Sequence, residues 1–284
     1  MSLAQPTTPA APSQPAIPSE LLERILLARV ADLDTLFEQD DIRAAVGGFA
    51  PSYLLVALPK SSSTFCTKVL AHILRGDVYK DIVVQDRFTP KDLQVASIVN
   101  RRDRITVSQV HLVATGANLR ILKNFRIPAV ILLRNLFDIV VSLRDHMEVN
   151  EFFSSILIPN KYSSLSKSDK EDYIIDTAVP WMVTFFVSWV QAIERGDIET
   201  EFVFYEDMIS DPVPFFRKSC QCLGVSVTAE EVTAAIDKVE KSPTTRFNVG
   251  KAGRGASELT ANQIARIRRH ADYYPGIDFR PLGL

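Results

Sequence analysis

Leu54-Leu-Val-Ala-Leu-Pro-Lys-Ser-Ser-Ser-Thr-Phe65 is the stretch that decides how this chain is read. An apolar run stops at Pro59. Lys60 and four hydroxyl residues, Ser61, Ser62, Ser63 and Thr64, come next, and a helix-period pattern then begins. The order is strand, tight turn, helix N-terminus. Such a turn turns backbone N–H groups and the positive end of a helix dipole towards an anion. A lysine and hydroxyls at the same place point to a phosphate or sulfate group. The stretch is not a Walker A loop, which needs two glycines with its lysine after the second. Here the lysine comes first, and no glycine lies between Ser52 and Arg75. Taken alone, the stretch also fits an ordinary capped helix, because Ser and Thr are favoured N-caps.

Outward from this loop, apolar runs alternate with helical patterns. Ser19 to Val30 carries a helical stripe, and a second helix is expected over Leu33 to Val46. Strands are expected at Tyr53 to Leu58, Ile105 to Val110, Ala129 to Leu133 and Glu201 to Tyr205. The Ala129 to Leu133 run is apolar throughout, as in a central parallel strand. A helix from Thr64 to Leu74 is expected to close at Gly76, and another runs from Leu136 to Met147. Thr228 with Glu231, and Thr260 with Gln263, have capping-box spacing. The alternation predicts an α/β fold: a P-loop-like central parallel sheet flanked by helices on both faces. Ligands of such sheets bind at the carboxyl ends of the strands, where the 59–64 loop and Arg134 would both sit.

The bulk properties restrict function. With 284 residues and 46% hydrophobic content, the chain can bury a large core. A formal net charge of −2 gives no electrostatic ground for nucleic-acid or membrane-surface binding. Cys66, Cys220 and Cys222 make neither a disulfide framework nor a four-ligand zinc site. Residues 1–18 have proline at positions 6, 9, 12, 15 and 18 and no basic residue, which reads as a disordered Pro-rich tail before one domain, 19–284. The apolar stretch Trp181 to Ile193 is too short to span a bilayer and is read as a buried helix. A soluble, cytoplasmic protein without membrane insertion is the expectation. The oligomeric state is not legible.

Three further places carry chemistry. Arg134 follows a buried strand directly and could fork onto a phosphate, with Ser142 two helical turns on. His111 follows the expected strand Ile105 to Val110 at the ligand edge, while His72, His146 and His270 are assigned to solvated faces. Arg246 to Gly255 is basic and glycine-rich, and can wrap an anion or simply connect.

Together these segments resemble the sulfotransferases that use 3′-phosphoadenosine 5′-phosphosulfate (PAPS). Pro59-Lys-Ser-Ser-Ser-Thr-Phe65 is similar to that family's 5′-phosphosulfate loop. Arg134-Asn-Leu-Phe-Asp-Ile-Val-Val-Ser142 is similar to its 3′-phosphate motif, with Asp138 inside it. Gln109-Val-His-Leu-Val-Ala-Thr115 resembles the segment of the catalytic histidine, and Tyr205-Glu-Asp-Met208 a characteristic strand end. The order spans residues 52–260. The departures are Ser62 for a usual glycine, Phe65 for a stacking aromatic that is often Trp, Gln109 for a lysine, and Asn248-Val249-Gly250 for Arg-Lys-Gly.

The resemblance implies sulfuryl transfer from PAPS to an acceptor hydroxyl or amine, with 3′-phosphoadenosine 5′-phosphate (PAP) leaving and no metal required. It implies Lys60 and His111 as catalytic residues. It implies that Lys60, Ser61, Ser62, Ser63, Thr64 and Phe65 hold the 5′ side, and Arg134, Ser142, Asn248, Val249 and Gly250 the 3′-phosphate. Phe65 would stack on adenine and Tyr205 would support its edge. Residues 148–177, with Phe152, Phe153, Tyr162 and Tyr173, would cover a small-molecule or glycan acceptor. A P-loop-type kinase and a PAP-binding protein without turnover are the alternatives.

Overall fold

The computed structural model describes residues 17–83, 92–149, 162–242 and 252–284. Five strands form one parallel sheet: β1 (Ser52–Ala57), β2 (Asp77–Val78), β3 (Thr106–Val110), β4 (Ala129–Leu133) and β5 (Phe202–Phe204), in the order β2-β3-β1-β4-β5. Every pairing is parallel, with Leu54 opposite Ser108 on one side and Ala129 on the other.

Alternation along the strands divides the core into two layers, because successive side chains of a strand point to opposite faces. Leu55 and Ala57 of β1 face one layer with Val107, Val130, Leu132 and Val203; the Ser63–Leu74, Pro212–Cys222 and Ala229–Glu240 helices cover it. Leu54 and Val56 face the other with Ile131 and Leu133, under the Gly116–Asn124, Leu136–Val149 and Val179–Glu194 helices. Helices on both faces explain why β1 and β4 read as continuous apolar runs rather than alternating ones. The α/β sandwich expected from the sequence is the one observed.

Both capping boxes form. Thr228 accepts from the Glu231 N–H while Glu231 accepts from the Thr228 N–H, and Thr260 and Gln263 do the same. Several boundaries differ from expectation. The Leu33–Val46 stripe breaks into two helices, Leu33–Leu36 and Asp40–Gly47. The strand β2 was not anticipated, since two exposed residues carry no periodicity. The left-handed residue that ends the Ser63–Leu74 helix is Arg75, not Gly76. Gly76 is needed for another reason: a Cβ there would lie 2.8 Å from the Ile105 side chain.

Within residues 148–177, where the sequence shows only weak periodicity, Lys167–Thr177 is a helix capped by Ser166. With the next helix it makes a 28-residue stretch, Lys167–Glu194, long and apolar enough to cross a membrane by length and composition. That exceeds the short run expected. Just over half of its most apolar window, 56%, is buried in the protein, and Phe185, Phe186 and Trp189 are fully enclosed.

Trp189 ties this helix to the ligand edge. Its indole N–H donates to the Leu112 carbonyl at 2.8 Å, one residue beyond His111. Trp189→Phe keeps most of the ring volume but strands that buried carbonyl. Stability should fall by roughly 1–3 kcal/mol, read as a lower urea midpoint at unchanged slope.

Candidate active site

The carboxyl ends of four adjacent strands deliver the residues singled out in the sequence. Lys60 lies three residues past β1, His111 directly follows β3, Arg134 directly follows β4, and Tyr205 directly follows β5. The connections from β1 and β4 lead to opposite sides of the sheet, so the crevice between these two strands is a topological switch point, the usual ligand position in an open parallel sheet.

The 59–64 loop has the backbone of an anion cradle. Lys60 and Ser62 both have positive φ, +62° and +59°. Ser62 stands at the N-cap of the Ser63–Leu74 helix, yet no side chain caps that helix. Its first N–H groups are therefore not taken by the side-chain bond that a plain cap would supply. Ser61 is fully buried and its hydroxyl donates to the Leu58 carbonyl at 2.6 Å, which fixes the turn from inside. Ser63 is buried as well. Thr64 donates to the Gln109 side-chain oxygen at 3.1 Å, so the residue that replaces the expected lysine ties β3 to the loop.

Arg134 is 6% exposed and held on several sides. Its guanidinium donates to the Lys60 carbonyl, stacks 4.0 Å from the Tyr205 ring centroid, and lies 4.0 Å from the Asp138 carboxylate. Burial lowers its proton affinity, while Tyr205 and Asp138 oppose that shift. Tyr205 is itself buried, and burial raises its phenol pKa. Its ring forms the floor under Arg134. Glu206 accepts from the Asn135 N–H at 3.0 Å, and Asn135 accepts from Phe137 N–H at 2.9 Å, so the two residues fix the start of the Leu136–Val149 helix. Ser142 lies half-buried one turn beyond Asp138 on that helix.

Lys60 is half-buried and forms no ion pair among the described residues. Burial, then the Arg134 charge, pushes its pKa below the ordinary lysine value. Two cations near each other with desolvation working against both make a place where an anion is favoured. His111 is half-buried, with Nδ1 2.6 Å from the Ala57 carbonyl. A carbonyl only accepts, so Nδ1 carries the proton, and in the neutral ring Nε2 bears the lone pair.

Other expected residues are placed differently. Phe65 is 7% exposed and edge-on to Phe216 at 6.2 Å, so most of its ring belongs to the core. Asn248, Val249 and Gly250 lie outside the described residues, as do Phe152 and Phe153. Arg254 pairs with Asp145 at 2.7 Å and Glu258 at 2.9 Å. His146 was assigned to a solvated face, but it is half-buried, and burial followed by the Lys60 charge lowers its pKa. Its place one turn beyond Ser142 was the available signal.

No family model and no curated protein matches the sequence. Solved structures do. The mouse sulfotransferase SULT7A1 complexed with PAP superposes with a TM-score of 0.61 at 16% identity, covering 87% of this chain and 94% of that one. Retinol dehydratase in complex with androsterone and inactive cofactor PAP gives 0.54 at 13% identity, covering 80% and 83%. The chain has the sulfotransferase fold.

The positive φ at Ser62 yields a stability test. Glycine adopts this conformation without penalty, whereas a β-branched residue there is strained. Ser62→Val should be less stable than Ser62→Gly by about 1–2 kcal/mol, measured as the difference in thermal or urea unfolding.

Proposed function

We propose that this protein is a PAPS-dependent sulfotransferase that transfers a sulfuryl group to a hydroxyl or amine of a small-molecule acceptor and releases PAP. The observation that carries the reading is the convergence of Lys60, His111, Arg134 and Tyr205 on the carboxyl ends of four neighbouring strands. The fold shared with two PAP-bound proteins supports it.

The residues present fit the donor. The 59–64 turn offers backbone N–H groups to a 5′-phosphosulfate. Arg134, rigid in its pocket, and Ser142 face the 3′-phosphate. Lys60 neutralises charge on the oxygen that leaves with PAP, a donor already in place when that charge develops. His111 takes the acceptor proton at Nε2 as its oxygen or nitrogen attacks sulfur, and the Ala57 carbonyl steadies the resulting imidazolium through Nδ1–H. A glycan acceptor is the second possibility within the same chemistry. A P-loop-type kinase lacks support, since the lysine and hydroxyls do not stand where a nucleotide–magnesium complex needs them.

The donor reading is tested by ligand-dependent melting. PAP at 100 times its Kd should stabilise the protein by about 2.7 kcal/mol, and AMP, lacking the 3′-phosphate, by far less. Equal shifts would remove Arg134 and Ser142 from the site. Catalysis is tested with labelled PAPS and an acceptor library in magnesium-free buffer. Lys60→Ala should lower turnover about 10²–10³-fold with the fold intact. His111→Ala should lower it about a hundredfold or more while PAP affinity stays close to wild type. A His111→Ala protein that instead loses PAP affinity and keeps most turnover would make the histidine structural.

A further inference from the structure

Asp138 is a carboxylate with an unusual pair of partners. It is 2% exposed on the Leu136–Val149 helix. Its Oδ2 accepts the Gly253 N–H at 2.7 Å, and its Oδ1 accepts the Gly255 N–H at 2.7 Å. Both oxygens are thus committed to one backbone turn, more than a hundred residues away in sequence. On the other side the Arg134 guanidinium stands 4.0 Å from Oδ2.

The turn is built for this contact. Gly253 has φ +83°, a conformation that side chains disfavour. At Gly255 a Cβ would come within 2.4 Å of the Phe137 backbone, so only glycine lets the turn approach the helix this closely. Two N–H donors converge on one side chain, and they need two acceptor oxygens. An aspartate has them. An asparagine has one, and its amide N–H would face the other donor.

We infer that Asp138 is a positioning residue: its carboxylate clamps the Gly253–Gly255 turn onto the helix that follows Arg134, and so sets how tightly the edge holds a 3′-phosphorylated nucleotide. The inference rests on the donor reading above. Its physical basis is a division of charge. A bare carboxylate 4 Å from Arg134 would compete with a phosphate for the guanidinium. Two short bonds from backbone N–H groups draw on the same oxygens, so the carboxylate steadies Arg134 without occupying its donors. The turn, held in place, sets Gly253 and Gly255 against the helix that carries Ser142. Arg254, between the two glycines, is fixed in turn by Asp145 and Glu258.

The test compares wild type with Asp138→Asn, which preserves shape. PAP and AMP affinities are measured by calorimetry, and amide exchange at Gly253 and Gly255 by NMR. PAP affinity should fall about tenfold or more, the range of a lost charge-assisted hydrogen bond, while AMP affinity changes little. Both glycine amides should exchange faster. Gly255→Ala, which pushes the turn off the helix but keeps the carboxylate, should reproduce the selective loss of PAP. Rescue of PAP affinity is not expected from Asp138→Glu, whose longer arm cannot place both oxygens on the turn. Equal losses of PAP and AMP would overturn the inference, as would fast glycine exchange with unchanged PAP affinity. Should neither variant fold, the wild-type amides decide: they must be protected and slow further with PAP, and exchange at the rate of an exposed loop would overturn the clamp. Failure of the donor reading shows in wild type, which would bind neither nucleotide; failure of the clamp shows only in the variants and the glycine amides.

Discussion

A buried guanidinium has to be satisfied, and much of the binding edge follows from that need. Removing an arginine from water costs several kcal/mol unless hydrogen bonds and countercharge replace the lost hydration. Around Arg134 the Lys60 carbonyl accepts a hydrogen bond, Asp138 alongside supplies countercharge, and the Tyr205 ring beneath adds a cation–π contact. Lys60 lies in the loop after β1, Asp138 in the helix after β4 and Tyr205 directly after β5, so the requirement of one side chain bears on the relative placement of these three strands at their carboxyl ends. The Lys60 carbonyl can reach Arg134 because the chain leaves β1 through a left-handed residue. The strain in the loop and the burial of the arginine are therefore parts of one arrangement.

The ion-pair cluster next to this edge does a different job. Arg144 is buried and donates to Glu171, Asp145 and Glu258, and Lys167 also reaches Glu258. These charges join the Leu136–Val149 helix, the Lys167–Thr177 helix and the short Arg254–Glu258 helix. The three cations around Glu258, despite some burial, hold its carboxyl at about 2. The sign follows: a folded pKa below the unfolded one gives stability that is present above the ordinary glutamate range and is lost as pH falls towards 2. Because Glu258 is partly exposed and the cluster is shared, the contribution is a portion of a network rather than of one pair. Burying so many charges is a poor route to stability alone. Its geometric effect is clearer, since planar Arg144 ties the Lys167–Thr177 helix to the helix that follows Arg134.

The sheet was legible because its signal is local. Unbroken apolar runs at β1 and β4, and turn or cap residues after them, announce strands buried on both faces. From that, the carboxyl edge and its residues follow by rule. The two capping boxes were legible for the same reason, since four residues contain the whole interaction. What sequence could not show was which faces meet. Nothing in the string of letters places the Tyr205 ring under Arg134 or the Phe65 ring edge-on to Phe216. The Lys167–Thr177 helix was hidden by its charges. Lys170 and Glu171 interrupt any apolar stripe, yet both are buried, Lys170 over the Tyr162 ring and against Glu148, Glu171 against Arg144. The role of Asp138 was equally hidden, because its partners are backbone groups of a distant turn.

The distribution of acids around the edge explains why it is positive in a chain whose net charge is slightly negative. Carboxylates are not scarce there. Asp138, Glu206 and Asp145 all stand close by, but each has its oxygens turned elsewhere. Asp138 faces two glycine N–H groups, Glu206 the Asn135 N–H, and Asp145 the Arg144 and Arg254 guanidinium groups. None forms an ion pair with Lys60. An acid that satisfies a backbone donor or a structural arginine is less able to quench a neighbouring cation, because its lone pairs are occupied and its position is fixed. The fold thus uses its negative charges to build the rim and keeps them from the centre. An edge arranged in this way is charged at Lys60 and Arg134 and neutralised where the scaffold is held, an electrostatic condition that favours a multiply charged anion.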